Sequence, residues 1–152
     1  MRTTLTTAPG RFGLFGLGAT PKQAQEIERL GYGTIWVGGS PPAELSFVEP
    51  LLESTTTLKV ATGIVNVRTA AAKPVAESFH RINTAYPGRF VLGVGVGHPE
   101  VDTQYRKPYE ALVSYLDELD EYGVPANQRV LPRLDRGVLK LSAERTAGAH
   151  PA

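Results

Sequence analysis

The sequence predicts an α/β fold in which a parallel, barrel-type β-sheet is built from about five βα units. Segments 58–67 and 90–98 are apolar, have strand length and end in small or polar residues. The interval between them has helical periodicity, which is typical of a βαβ unit. Strand and helix patterns alternate along the chain at roughly 25 to 30 residues per unit, as parallel α/β folds require.

The first strand is predicted over 11–17, and a helix follows it. Thr20 and Gln23 match a capping box, and Pro21 suits the first helical turn. Gly31 is expected to end the helix in a left-handed conformation. The apolar face of this helix is expected to consist of Ala24, Ile27 and Leu30.

A second strand is predicted over 34–37, and a second helix leads from it to the polar turn at 54–57. Pro50 weakens this helix because it removes a backbone donor near the start. The third strand is predicted over 59–65 and the third helix over 73–86. The apolar face of the second helix is expected to consist of Leu45, Val48, Leu51 and Leu52.

The fourth strand is predicted over 90–96, and the most regular helix pattern of the chain spans 108–122. Acidic residues at 117–121 should form its solvated face rather than a metal site. A fifth strand is predicted over 129–134 and a fifth helix over 137–147, after which no further element is predicted. The inward face of the 108–122 helix is expected to consist of Leu112, Val113, Leu116 and Leu119.

Composition narrows the classes of function. The 152 residues suggest one domain, 1–152, and the 16 basic and 15 acidic residues are mixed along the chain. This balance favours neither nucleic-acid nor anionic-membrane binding. The chain contains no cysteine, which excludes disulfides, thiolate zinc sites and cysteine nucleophiles, and no metal-binding spacing is present. No apolar run approaches the ~20 residues of a membrane span, so we expect a cytoplasmic protein.

Glycines lie at the carboxyl ends of four predicted strands, where parallel α/β folds bind ligands. These ends are 16–18, 38–40, 63–66 and 93–98. A glycine allows a ring or a phosphate to touch the backbone, although glycines also occur there simply because the chain turns. Segment 93–97 is not a dinucleotide fingerprint, because His98 occupies a position that requires glycine or alanine.

Several motifs together resemble the bacterial luciferase-like superfamily of flavin- and deazaflavin-dependent oxidoreductases. Segment 36–41 fits the subgroup that uses coenzyme F420, a deazaflavin. The resemblance covers nearly all of the chain after residue 12. The other segments that carry it are 61–67, 80–83, 85–90, 92–98, 105–108 and 115–117.

The resemblance implies a (β/α)₈ barrel, and such barrels usually need about 250 residues. The chain therefore resembles the N-terminal part of a family member and should form a partial barrel. An open half-barrel exposes strand edges and apolar surface, so a homodimer is expected.

The resemblance also implies a set of site residues. A cis peptide bond between Gly63 and Ile64 would support the cofactor ring, and Asn66 would lie beside the ring edge. Gly95, Gly97 and His98 would line the ring, with His98 as the proton donor. Asn66 as a turn former and His98 as an ordinary loop histidine remain open alternatives.

The implied chemistry is hydride transfer between F420 and an unknown small organic substrate, in which the cofactor supplies the reactive carbon. Some deazaflavin dehydrogenases carry an acidic residue and a histidine where this chain has 38–40, and this departure argues against sugar-phosphate chemistry. Three alternatives remain open. They are an FMN-dependent monooxygenase, a non-catalytic homologue that acts through self-association, and an unrelated doubly wound α/β binding domain.

Overall fold

The structure is a computed structural model and describes residues 12–97, 108–132 and 136–150. Its parallel strands form one curled sheet in the order β1-β2-β3-β5-β6-β7, and β4 continues the line of β3 and also pairs with β5. This half-barrel confirms the predicted fold class. The strands are β1 (Gly13–Gly16), β2 (Thr34–Val37), β3 (Lys59–Thr62), β4 (Val65–Asn66), β5 (Phe90–Gly95), β6 (Arg129–Pro132) and β7 (Ala149–His150).

Helices connect the successive strands and give the five βα units that the sequence predicts. A short 3₁₀ turn, Ala126–Gln128, leads into β6. The helices of the described residues are α1 (Pro21–Arg29), α2 (Val48–Glu53), α3 (Ala72–Ala85), α4 (Pro108–Glu121) and α5 (Arg136–Arg145). None of these helices is both long and apolar enough to cross a membrane.

The start of α1 follows the prediction closely. The Thr20 hydroxyl accepts a hydrogen bond from the Gln23 amide at 3.1 Å, and the Gln23 side chain accepts one from the Thr20 amide at 2.9 Å. Gly31 adopts a φ of 91°, as a left-handed helix stop requires. Leu30 is 60% exposed, so its predicted place on the buried face is wrong. The helix ends at Arg29, and Leu30 is its cap residue.

The sheet has a larger apolar core on its helix side and a smaller cluster on its concave side. Val60 and Leu92 belong to the larger core, which the helices cover. Their neighbours in sequence face the other way, because side chains alternate along a strand. The concave cluster consists of Ala61, Val91 and Val130, with Trp36 packed against it.

The third predicted strand, 59–65, is two strands in the structure. β3 ends at Thr62 and β4 begins at Val65, with Gly63 and Ile64 between them. Apolar or small residues continue without interruption from 60 to 65, so the sequence pattern did not show the break. The resulting bulge lies at the carboxyl end of β3, where a ligand site was expected.

Other differences lie at helix faces and at the end of the chain. The second helix begins at Val48, later than its apolar pattern from Leu45 predicted. Leu45 adopts a φ of 49° in the preceding turn, while its side chain stays buried. In α4, Tyr115 is buried although its position was not predicted, whereas Val113 is only half-buried. Residues Ala149 and His150 form β7, which the sequence did not predict, since two residues carry no periodicity.

Candidate functional site

The carboxyl ends of β4 and β5 lie side by side on one rim of the half-barrel. Asn66 is paired with Gly95 in parallel register, and the Val67 amide donates to the Gly95 carbonyl at 2.9 Å. The two predicted strand ends 63–66 and 93–98 therefore lie next to each other, as a shared ligand site requires. The peptide bond between Gly63 and Ile64 is cis, which confirms what the resemblance implied.

A threonine side chain joins the sheet where the third strand is interrupted. The Thr62 hydroxyl donates to the Gly93 carbonyl at 2.8 Å and accepts from the Gly93 amide at 2.8 Å. A Cβ on Gly93 would overlap the Thr62 carbonyl oxygen. Gly93 therefore allows two strands to approach each other, and its backbone is not available to a ligand.

The Phe15 side chain lies over the bulge, and Trp36 lies beside it with its ring toward Gly13. The Phe15 ring is 61% exposed, and its edge lies against the backbone of Gly38 and Gly63. A Cβ on Gly38 would lie 2.7 Å from Phe15 Cζ, and one on Gly63 would lie 3.3 Å from Phe15 Cε2. The Trp36 Cβ lies 3.9 Å from the same point on Gly63. Phe15 and Trp36 pair in register on neighbouring strands, so both face the concave side with the buried cluster.

Sequence analysis did not assign Phe15 to the site. The available signal was its parity: Phe15 and Gly13 lie on one face of the first strand, and Leu14 lies on the other. Choosing between those faces requires the sheet to be assembled, because β1 is apolar on both.

The side chain of Ile64 covers Gly95. A Cβ on Gly95 would lie 2.7 Å from Ile64 Cδ1 and 3.1 Å from Pro132 Cγ. The space that a side chain at Gly95 would occupy is thus filled by two neighbouring side chains rather than by a ligand. The structure brings Gly95 and Ile64 together, as predicted, and Ile64 is the half-buried member of the pair.

Asn66 forms a turn and also lies on the rim. Its side-chain oxygen accepts a hydrogen bond from the Arg68 amide at 3.0 Å, and its carbonyl accepts one from the Ala70 amide at 3.0 Å. This is the turn-forming role that the sequence left open. Gly97 has a φ of 71°, and a Cβ there would lie 2.8 Å from Asn66 Nδ2. The Asn66 amide group therefore packs directly on Gly97.

The three histidines have different positions. His98, the predicted proton donor, lies outside the described residues. His80 is exposed on α3, and its Nε2 lies 2.7 Å from the Tyr122 carbonyl, so it ties two helices together. His150 lies within the half-barrel, with its ring centroid 5.0 Å from that of Trp36. The sequence assigned His150 no role, because only the formation of β7 brings it there.

Two acidic residues of α4, Asp117 and Asp120, form ion pairs. Asp117 and Asp120 contact Arg145 at 2.9 and 2.6 Å, and Asp120 also contacts Arg129 at 2.7 Å. Burial acts to raise the pKa of Asp120, but both arginines act against it and hold the pKa below its ordinary value. No group of three or more histidines and acidic residues suited to a metal ion occurs within residues 12–97, 108–132 and 136–150.

Comparison with known proteins gives consistent matches. The model of the family described as luciferase-like monooxygenase matches residues 2–122. Over 120 residues the chain is 30% identical to the N-acetyl-S-alkylcysteine monooxygenase of Bacillus subtilis (strain 168). The aligned part covers 68% of this chain and 35% of that protein. The chain therefore spans about a third of the length of this curated relative.

Two solved structures share the fold. One is an F420-dependent secondary alcohol dehydrogenase in complex with an F420–acetone adduct, with a TM-score of 0.71 at 15% identity. It covers 91% of this chain, which in turn covers 57% of that one. The other is apo-MsnO8, with a TM-score of 0.68 at 20% identity, covering 88% of this chain and 53% of that one. Both likenesses show the fold alone.

Proposed function

The chain belongs to the luciferase-like monooxygenase family, and we propose that it forms the ring-binding half of a flavin- or deazaflavin-dependent oxidoreductase. The observation that carries this proposal is the concave surface beside the bulge, where the exposed Phe15 ring lies against Gly63 and Trp36 lies beside Phe15 on the neighbouring strand. Sites for planar ligands are mainly apolar and aromatic, with a few polar groups that fix orientation.

The residues present fit such a ring. Phe15, Trp36 and Ile64 supply apolar contacts, and the Asn66 amide can donate a hydrogen bond at the rim. Gly18 and Gly39 lie at the ends of the first two strands, and a Cβ on either would meet nothing within 4 Å. Backbone at these positions is open to close approach by a ligand. A bound flavin or deazaflavin would supply the hydride chemistry, while this chain would position the ring and exclude water from one side.

We propose F420 as the cofactor, with a small organic molecule as the hydride partner. Support comes from the resemblance of segment 36–41 to the F420-using subgroup. His98 stays part of the proposal as the proton donor near the ring, together with Gly97 at the neighbouring position.

An FMN-dependent monooxygenase is the second candidate. The specific observation in its favour is that the relative with 30% identity is a monooxygenase. Reduced flavins support dioxygen chemistry, whereas a deazaflavin has carbon in place of the nitrogen next to the site where oxygen adds. The two candidates therefore differ in whether dioxygen is a substrate.

Titration with each cofactor tests the proposal. Trp36 is the only tryptophan of the chain, so its fluorescence reports directly on the concave surface. We expect saturable quenching by F420 at micromolar concentrations and weaker quenching by FMN. Tighter binding of FMN would favour the monooxygenase, and a folded chain that binds neither cofactor would refute the proposed function.

Phe15→Ala provides a sharper test of the surface. We expect this variant to weaken cofactor binding because an aromatic wall of the site is lost. Phe12→Ala is the matched control, because Phe12 is 60% exposed and lies three residues earlier, on the opposite face of the extended chain. Equal effects of the two substitutions would contradict the placement of the site.

We also propose that the chain self-associates through β1. Parallel strands are normally covered on both faces, yet Leu14 is 38% exposed and Leu17 is 82% exposed. A homodimer would cover this strand. Sedimentation equilibrium should give twice the 16.4 kDa monomer mass, and Leu17→Lys should shift the chain toward the monomer. A monomeric wild-type chain at high concentration would rule this assembly out.

A further inference from the structure

A histidine from the last described strand lies against the aromatic surface of the second strand. The Trp36 and His150 ring centroids are 5.0 Å apart, and the ring planes are inclined at 38°. β2 and β7 are separated in the sheet by β3, β5 and β6. Side chains from strands so far apart can touch only across the inside of the curl, so His150 points into the concave side.

The neighbours of His150 place it on the proposed site. It is paired in register with Pro132 on β6. Pro132 and Ile64 together fill the space beside Gly95, with Pro132 Cγ 3.1 Å and Ile64 Cδ1 2.7 Å from the position of a Cβ. Pro132 therefore lies between the imidazole of His150 and the Ile64 side chain at the bulge.

The imidazole lies beside an apolar cluster. Its ring neighbour Trp36 packs against Ala61, Val91 and Val130, and Nε2 of His150 is itself buried. An imidazole can donate and accept hydrogen bonds. A polar ring set among apolar side chains is the arrangement by which pockets orient a ligand that has polar edges.

We propose that His150 is a ligand-binding residue of the concave site. Its imidazole hydrogen-bonds a carbonyl oxygen or ring nitrogen on the pyrimidine edge of a planar heteroaromatic ring, while Trp36 packs on the same ring system. This assignment rests on the proposed function for the class of ligand. It adds a residue of β7 to a site otherwise built from β1 to β6.

The test compares two substitutions that separate hydrogen bonding from packing. His150→Phe keeps a ring beside Trp36 but cannot hydrogen-bond, whereas His150→Gln keeps a donor and an acceptor without the ring. Each variant is titrated with F420, with FMN and with lumiflavin, the flavin ring with a methyl group in place of the ribityl phosphate chain. His80→Gln is the matched control, because His80 lies on the helix layer.

We expect His150→Phe to raise the Kd for the ring about fivefold to tenfold, the effect of one lost hydrogen bond. The increase for His150→Gln should be smaller, and His80→Gln should bind like the wild type. If His150 only packs, His150→Phe will bind like the wild type and His150→Gln will bind no better, which overturns the inference alone. A folded wild-type chain that binds none of the three probes overturns both this inference and the proposed function.

Discussion

Replacing Thr62 with valine tests how the sheet holds together beside the site. The Thr62 side chain is fully buried, and its hydroxyl bonds to both the amide and the carbonyl of Gly93 at 2.8 Å. The backbone pairing of β3 with β5 involves only Val60 and Ala61 of β3. The Thr62 hydroxyl therefore adds a connection between these two strands beyond their paired residues. Valine has nearly the same shape as threonine and replaces only the hydroxyl with a methyl group.

The expected cost follows from the two main-chain groups that lose their partner. A buried donor or acceptor left unsatisfied costs about 1–3 kcal/mol. For the Gly93 amide and carbonyl together, Thr62→Val should therefore lower the free energy of unfolding by about 2–6 kcal/mol. That is a large share of the roughly 5–15 kcal/mol that stabilises a typical domain.

Urea-induced unfolding followed by circular dichroism measures this change. The midpoint should fall while the slope of the free energy against urea stays the same. Thr62→Ser is the matched control, because it keeps the hydroxyl and should cost only about 1 kcal/mol for the lost methyl group. The reasoning would be refuted if Thr62→Val cost less than about 0.5 kcal/mol, or if serine were as destabilising as valine.

Three further changes have outcomes that the structure specifies. Gly93→Ala should destabilise the fold by several kcal/mol in urea unfolding, since the new Cβ would overlap the Thr62 carbonyl oxygen of β3. Gly18→Ala is the control and should be nearly neutral, because a Cβ at Gly18 meets nothing within 4 Å. Equal effects of the two substitutions would contradict this. Burial, with Glu118 nearby, raises the pKa of Tyr115, whose hydroxyl donates to the Ala70 carbonyl at 2.9 Å. Ultraviolet titration should therefore show that Tyr115 ionises only on unfolding, and Tyr115→Phe should remove that step; its persistence in the variant would contradict this. Burial acts to raise the pKa of Glu28, but backbone amides at residues 56–58 hold it below its ordinary value of 4.5. Its stabilising effect should thus be present above about pH 4.5 and be lost as the pH falls through the native pKa. Glu28→Gln should flatten urea midpoints over that range, and an unchanged pH dependence would argue against this role.

Local patterns in the sequence determined the elements that depend on neighbouring residues. The Thr20 capping box, the Gly31 helix stop and the 34–37 strand all follow from interactions within a few positions. The alternation of strands and helices likewise implied a parallel sheet, because parallel strands need a crossover between them.

The candidate site could be predicted only in part. The sequence indicated that the ends near Gly63 and Gly95 would meet, since the carboxyl ends of parallel strands share an edge. It did not indicate that Ile64 would fill the space at Gly95, and it left open whether Asn66 forms a turn or lies beside the ring. Those outcomes depend on how side chains from different strands pack together, and that packing is set only in the assembled sheet.

Tertiary structure alone decided the break after Thr62, the face on which Phe15 lies and the position of His150. Each depends on residues far away in the chain: Gly93 for the break, Gly38 and Gly63 for Phe15, and Trp36 for His150. A strand's apolar pattern records that it is buried, but the curl of the assembled sheet determines which residues face one another across the concave side.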